Sequence, residues 1–440
     1  MLERVLGIGK TGNRFVDRNK GIVMETYDLK DSGVDWLGSI PKHWSVKRIK
    51  DIVDLKSGNS ITSFQIQSEG LYPVYGGNGL RGYTDSYTHS GYKILIGRQG
   101  DLCGNINYVK GEFFATEHAV VCNPYFDLNV FWLGELLRSM NLNQYSNAAA
   151  QAGLSVSKIK NLKIPVPTKE EQKAIADYLH KACQNIDKTI TLKQQQLDKL
   201  EAYRKSVIHE AVTKGLDKTV PMKDSGVEWL GEIPEHWKSD RLKDFVIFNP
   251  TKNPARIKEN EVVSIFPMEF ISENGEILGR NEAIYKETDT GLNYFENGDV
   301  IFAKITPCME NGKGALIKDI PTRISLGSTE FFVLRPTFLV NAEYLYYLTR
   351  NQYFRDFLEK NMKGAAGQQR VPAKFFKYTV LPLPNIEEQK AIADYLDKAC
   401  TNIDKTKETI AKQIKTLTQY RQSLIHECVT GKKRVYQGTN

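Results

Sequence analysis

From Glu170 to Val212 the chain contains neither Pro nor Gly, and its apolar or small residues recur mostly three and four positions apart. They are Ile175, Leu179, Ala182, Ile186, Ile190, Leu197, Leu200, Val207 and Ala211. A later stretch repeats the pattern with Ile392, Leu396, Ala399, Ile403, Ile410, Ile414, Leu417, Leu424 and Cys428. Such a narrow stripe among charged residues is the seam of a coiled coil. It predicts two long helices, each spanning roughly 65 Å. Thr168 and Glu171 have capping-box spacing at the start of the first, Pro165 and Pro167 stop the strand before it, and Gly215 and Gly431 follow the two helices as terminators. One narrow stripe cannot bury itself, so the two helices are expected to pair with each other. An independent domain between them lets them meet antiparallel, with pseudo-twofold symmetry.

Between the helical stretches the pattern changes. Residues 59–150 and 251–340 alternate short β-prone runs with Gly and Asn turns, as in YKILIGRQGDLCGNINYV and GDVIFAKITPCMENGKGALI. Each then turns helical and passes into a Gly/Ala/Gln-rich loop. The fold class predicted is α+β, with two compact heads.

These parts are two copies of one unit. DSGVDWLGSIPKHW at 31–44 and DSGVEWLGEIPEHW at 224–237 agree at 11 of 14 positions, an offset of 193 (224 less 31). EEQKAIADYLHKACQNIDKT at 170–189 and EEQKAIADYLDKACTNIDKT at 387–406 agree at 18 of 20, an offset of 217 (387 less 170). The second unit is therefore longer by 24 residues (217 less 193) between these landmarks, in the stretch where the copies diverge. A constant scaffold carries two heads with different targets. Two long units do not make a solenoid.

A net charge of +8 and a pI near 8.9 permit phosphate binding without requiring it. The six cysteines form no CxxC and have no histidines at zinc spacing, so reduced, partly buried thiols are expected. No apolar run approaches the ~20 residues of a membrane span, and the N-terminus lacks the apolar core of a signal peptide. A cytoplasmic protein with no membrane partner is expected.

Tests for catalytic chemistry come out negative. GIGKTG lacks the glycine that a phosphate loop needs at position 4, which is Arg. No HExxH, GxSxG or strand-borne GxGxxG occurs, nor an amino-methylation motif of the [DNS]PP[YFW] kind. His43 and His236, like His209 and His426, sit at duplicated positions, which marks them as structural. Arg204 and Arg421 occupy seam positions, and the adjoining IleHisGlu steps are expected to serve salt bridges or docking. No catalytic or metal-binding residues are assigned.

The loops of the heads hold side chains suited to base edges and phosphates. In the first head these are Asn78, Arg81, Arg98, Gln99 and Gln151; in the second, Lys304, Thr306, Asn311, Lys313, Gln368, Gln369 and Arg370. The loops AAAQAG (148–153) and AAGQQR (365–370) stand at the same place in both units, and their small residues would admit a phosphate close to the backbone. All twelve residues are candidate DNA contacts.

The repeated DSGVxWLGxIPxHW, the EEQKAIADYL that opens each helix and the YR-x-S-x-IHE that closes it resemble the specificity subunit of type I restriction–modification systems, over nearly the whole chain from about residue 24. The resemblance implies a non-catalytic, sequence-specific DNA-binding subunit. Its boundaries here would be an extension at 1–23, expected to be disordered or peripheral, a target-recognition domain at 24–167 and a helical spacer at 168–215. A second recognition domain at 216–384, a second spacer at 385–431 and a tail at 432–440 would follow. Each domain would read half of a bipartite, asymmetric site in double-stranded DNA, with the helices as a ruler. The implied partners are two modification subunits, which bind the S-adenosylmethionine that this chain does not, and restriction subunits with ATP-driven translocase and nuclease activity. The rival readings are a stand-alone DNA-modifying enzyme with its site in a variable head, and a coiled-coil organiser that binds only proteins.

Overall fold

The computed structural model describes residues 27–100, 102–146, 153–251, 257–288, 291–365 and 367–435. It also gives the backbone of three short antiparallel strands, Ile8–Thr11, Arg14–Asp17 and Ile22–Glu25. The chain divides into two compact units, the first made of 1–193 and 412–440 and the second of 194–411. The division cuts through both long helices, Lys169–Lys214 and Ile386–Val429. Each unit therefore holds one head together with part of each helix.

In the first unit the head is built on an antiparallel sheet with strand order Ile106–Lys110, Tyr92–Gly97, Ala119–Pro124, Val53–Ser57. Alternate residues of one strand point to opposite faces, and here each face has its own core. Ile94, Ile96, Val120 and Cys122 join the core around Trp132, Leu133, Leu136 and Leu137 of helix Val130–Ser139. Leu95, Val121, Ala119 and Val109 pack with Phe113 and Ala115 on the other face. Burial on both faces explains why these strands read as continuous apolar runs. A three-stranded sheet, Phe114–Ala115, Tyr72–Gly76 and Gly79–Thr84, completes the head.

In the second unit the same sheet recurs as Gly314–Leu316, Val300–Ala303, Phe331–Pro336, Val246–Phe248. Its two faces are again shared out, Val300, Phe302, Phe332 and Leu334 to one core and Ile301, Ala303, Phe331 and Val333 to another. The accessory sheet is larger, with four strands: Asn281–Ile284, Val262–Phe266, Ser325–Gly327 and Asn293–Phe295. The heads share a framework and differ in what is attached to it.

The helices pair antiparallel within each unit. In the first, Arg421 Nε lies 2.9 Å from Asp187 Oδ1 and Lys193 Nζ donates to Gln413 Oε1 at 2.6 Å. In the second, Arg204 Nε is 3.6 Å from Asp404 Oδ1 and Lys407 pairs with Glu201. In each pair of contacts the number on one helix rises as its partner falls. The seam residues Ile175, Leu179, Cys183 and Ile186 are buried in the first unit's core with Leu424, Ile425 and Cys428. Val207, Ile208 and Ala211 are buried in the second with Ile392, Leu396 and Cys400. The six cysteines are unpaired.

The repeated motifs form a clasp between head and helix. Glu171 and Thr168 make the expected reciprocal cap, Glu171 N–H to Thr168 Oγ1 at 3.3 Å and Thr168 N–H to Glu171 Oε2 at 3.2 Å. The Glu171 carboxylate also accepts from Trp44 Nε1 at 3.3 Å, lies 2.9 Å from His43 Nε2 and accepts from Tyr27. Burial alone would raise this carboxyl, but the His43, Trp44 and Thr168 hydrogen bonds outweigh it and hold it below its ordinary value. Gln172 donates to Pro167 O and accepts from Asn129 N–H, whose side chain caps helix Val130–Ser139. In the second unit Glu388 accepts from Trp237 Nε1 at 2.9 Å and meets His236 at 3.1 Å. Gln389 likewise joins Pro384 O to the N–H of Asn341, the cap of helix Ala342–Arg350. Two segments about 130 residues apart in the first unit are locked by the same few side chains in both copies.

Candidate nucleic-acid interface

In each head the central strand ends at a basic residue that anchors the small-residue loop. Arg98 N–H donates to His118 O at 2.9 Å, and Arg98 O accepts from Leu154 N–H at 2.8 Å. Lys304 repeats this: its N–H donates to Glu330 O at 2.9 Å and its carbonyl accepts from Val371 N–H at 2.9 Å. The β-prone and Gly-rich segments that the sequence placed apart thus converge at one edge of each head. Gln99 bridges to Gly153 in the first, and Ile305 to Arg370 in the second.

In the first head, Asn78, Arg81 and Gln99 line one cleft of about 500 Å³ with Gly77, Gly79, Leu80, Gly100 and His118. Asn78 and Arg81 come from the hairpin Tyr72–Gly76/Gly79–Thr84, and Gln99 from the turn after Tyr92–Gly97. Glycine lets them meet: a Cβ on Gly97 would stand 2.3 Å from Gly77 O. Asn78, Arg81 and Gln99 are exposed, and Arg81 has no ion-pair partner among the described residues. Arg98 is set back, half-buried, with Nη1 donating to Ser57 Oγ at 3.3 Å. Gln151 lies outside the described residues. His118, absent from the candidates drawn from the sequence, enters because it lies in the turn before strand Ala119–Pro124, where its carbonyl accepts from Arg98 N–H.

In the second head the basic candidates and Asn311 are already engaged. Arg370 makes a bidentate pair with Glu330, Nη2 to Oε1 at 2.8 Å and Nε to Oε2 at 3.0 Å. The guanidinium holds the Glu330 carboxyl below its ordinary value. Lys304 Nζ donates to Thr329 O at 2.8 Å, and Lys313 Nζ to Met268 O at 3.1 Å. Thr306 and Gln369 exchange hydrogen bonds: Thr306 N–H donates to Gln369 O and Gln369 N–H to Thr306 Oγ1, both at 3.0 Å. Asn311 Nδ2 donates to Glu273 Oε1 at 2.8 Å. Gln368 is exposed. Asn311 lines a different cavity, of about 420 Å³, with Arg204, Arg350 and Arg355. The sequence reading missed Glu330, in the turn just before strand Phe331–Pro336, and Arg350 and Arg355, which lie in helices without loop character.

The first IleHisGlu step is held by contacts within its own unit. His209 Nδ1 lies 3.3 Å from Asn351 Nδ2 and its ring packs 4.1 Å from that of Tyr353, while Glu210 pairs with Lys218 at 2.6 Å. Burial holds the His209 and His426 imidazoles below their ordinary pKa. Among the described residues no helix is long and apolar enough to cross a membrane.

Comparison with known proteins agrees with this architecture. The type I restriction modification DNA specificity domain matches twice, at residues 41–202 and 234–416. The EcoprrI specificity subunit of Escherichia coli is 44% identical over 139 residues, 31% of this chain and 35% of that protein. That match and two other E. coli specificity-subunit matches span about a third of those relatives' length. The MjaVIII specificity subunit of Methanocaldococcus jannaschii is 24% identical over 90% of this chain and 94% of its own. A chain from a study of complex assembly and conformational transition of the type I system superposes with a TM-score of 0.68, at 14% identity over 89% of this chain and 98% of that one. The HsdS subunit of Thermoanaerobacter tengcongensis gives 0.52, at 15% identity over 89% and 98%. At such identities the superpositions speak for the fold, and the doubled domain match speaks for the lineage: this chain belongs to the type I restriction–modification DNA specificity family.

Proposed function

We propose that this chain reads a bipartite, asymmetric site in double-stranded DNA, one half by each head, and contributes no catalytic group of its own. The observation that carries the reading is the pairing of one shared framework with two unlike polar edges. The clasps and the order of the main sheet agree between units, while the edges beside Arg98 and Lys304 carry different side chains. Phosphate contacts would position each head and base contacts would specify. Arg81 suits guanine, and Asn78 and Gln99 suit adenine.

The paired helices would set the spacing between half-sites and dock two modification subunits. Those partners would bind S-adenosylmethionine and flip and methylate adenine, and restriction subunits would join in the full complex. Removing two heptads from the middle of each helix, about 20 Å of rise, tests the ruler. Methylated adenines mapped genome-wide should show a changed gap and unchanged half-site sequences; altered half-sites would overturn the assignment. Methyl transfer from labelled S-adenosylmethionine by the purified chain alone would overturn the non-catalytic role.

A further inference from the structure

The second head buries two guanidiniums, Arg350 and Arg355, that no carboxylate among the described residues neutralises. Arg355 is 2% exposed. Its Nη1 donates to Met309 O, its Nη2 donates to Gly312 O at 3.3 Å, and its guanidinium lies 4.7 Å over the Phe302 ring. Arg350 donates to the same Gly312 carbonyl. Among the described residues neither has a carboxylate partner, and the Nε atoms of Arg350 and Arg355 are buried without a hydrogen-bond acceptor, while the buried Arg204 Nε has only Asp404, at 3.6 Å. Burial, together with mutual repulsion, depresses Arg355 well below the ordinary guanidinium range. Burying an unpaired charge is strongly unfavourable, and arginine does not escape by losing its proton.

The first unit shows what has been given up. Helices Val130–Ser139 and Ala342–Arg350 start from equivalent Asn caps, which places Arg138 opposite Arg350 in the alignment of the copies. Arg138 has an internal counter-ion one turn back, the buried Glu135, with Nε to Oε1 at 3.3 Å. The matching residue in the second unit is Tyr347, whose hydroxyl donates to Asp397 Oδ1 at 2.6 Å. The counter-ion has gone and the cation remains.

Arg204, Lys205, Arg350 and Arg355 line the cavity of about 420 Å³, together with the Asn311–Gly312 turn. Three carboxylates also border it. Glu201 is paired with Lys407 and Glu273 accepts from Asn311. Burial and the neighbouring Glu359 raise the Glu310 carboxyl above its ordinary value. Asp404 stands beside Arg204. None of the four pairs with Arg350 or Arg355.

We propose that this cavity takes a phosphate group on Arg350, Arg355, Arg204 and Lys205, supplied by the backbone of a bound duplex. The oxyanion site stands on the buried guanidiniums; only its assignment to DNA rests on the function proposed above. Asn311 of that turn is one of the residues that the sequence marks as a candidate DNA contact, so a phosphodiester bound there would anchor the second head in register.

The test uses the full chain and inorganic phosphate, titrated calorimetrically at constant ionic strength balanced with chloride. Phosphate should bind and raise the Tm. Arg350→Met should weaken binding by at least about tenfold, and Arg138→Met should leave it unchanged. Lys205→Glu, on an exposed helix position, should weaken it several-fold and serves where Arg350→Met fails to fold. No phosphate effect beyond ionic strength, or equal binding by wild type and Lys205→Glu, would overturn the site. Duplex titrations then assign the source. If the backbone supplies the phosphate, duplex displaces inorganic phosphate and Lys205→Glu lowers the salt slope of binding by about 1. If phosphate stays bound beside the duplex, a free oxyanion is the ligand and the DNA assignment falls. A chain that binds phosphate but no duplex would sink the DNA-reading function and leave the oxyanion site standing.

Discussion

The edge of the first head presents Arg81, Asn78 and Gln99 around one cleft with no side-chain partner among the described residues, whereas the second holds Arg370, Lys304, Lys313 and Asn311 in internal contacts. The frameworks beneath are the same sheet in the same order. The difference shows that a basic loop residue is not a DNA contact by virtue of its type. Arg370 and Arg81 look alike in the sequence, but one has its charge satisfied by Glu330 and the other has no ion-pair partner among the described residues. On the function proposed above, the first head would meet DNA with these side chains as they stand, whereas the second would exchange the Arg370–Glu330 pair for a phosphate or base, or read with Gln368 and its backbone.

The largest expected effect would break the shared framework rather than the edges. Trp44→Ala and Trp237→Ala each remove a buried indole that holds the clasp glutamate, and each should cost about 3–5 kcal/mol in urea unfolding of its unit. A large cost in one and none in the other would show that the clasps are not equivalent. Next come the edges. Arg81→Ala should weaken duplex binding by about 1–3 kcal/mol, and Arg370→Ala by less than about 1 kcal/mol, since the wild-type guanidinium must leave Glu330 first. Equal losses in a binding assay would erase the contrast. Glu330→Gln sharpens it in the opposite direction: with Arg370 released, duplex affinity should rise about two- to fivefold.

The smallest effect is in acid. The folded state holds Glu171 below its ordinary pKa, so the unfolded chain binds more protons there. The stabilisation is fully present above the ordinary carboxylate range and is lost as pH falls through the lowered folded value, beneath that range. Glu171→Gln should flatten the acid limb of a stability–pH curve for the first unit. An unchanged limb would mean that the clasp draws nothing from the charge.

Much of the fold was readable from local signals. Apolar spacing, the Thr168 cap and the following glycines bounded the first helix within a few residues of Lys169–Lys214, because period and capping act over one or two turns. The repeats announced two units. Their function as clasps was not readable, because Trp44 and Glu171 meet only after folding. The candidate residues were chosen by type and loop position, and those criteria placed Asn78, Arg81 and Gln99 in one cleft. They could not separate Arg81 from Arg370, nor find Arg350 and Arg355, since freedom and burial depend on partners distant in the chain.

The sequence by itself determined the duplication, the helical scaffold, the α+β heads and the family, all of which are written in short-range patterns and repeated words. Tertiary structure alone decided which charges are spent and which are available. An ion pair such as Arg370–Glu330 or Arg138–Glu135, and its absence at Arg350, is fixed by which side chains the packed framework brings within a few ångströms, and by how much water is left between them.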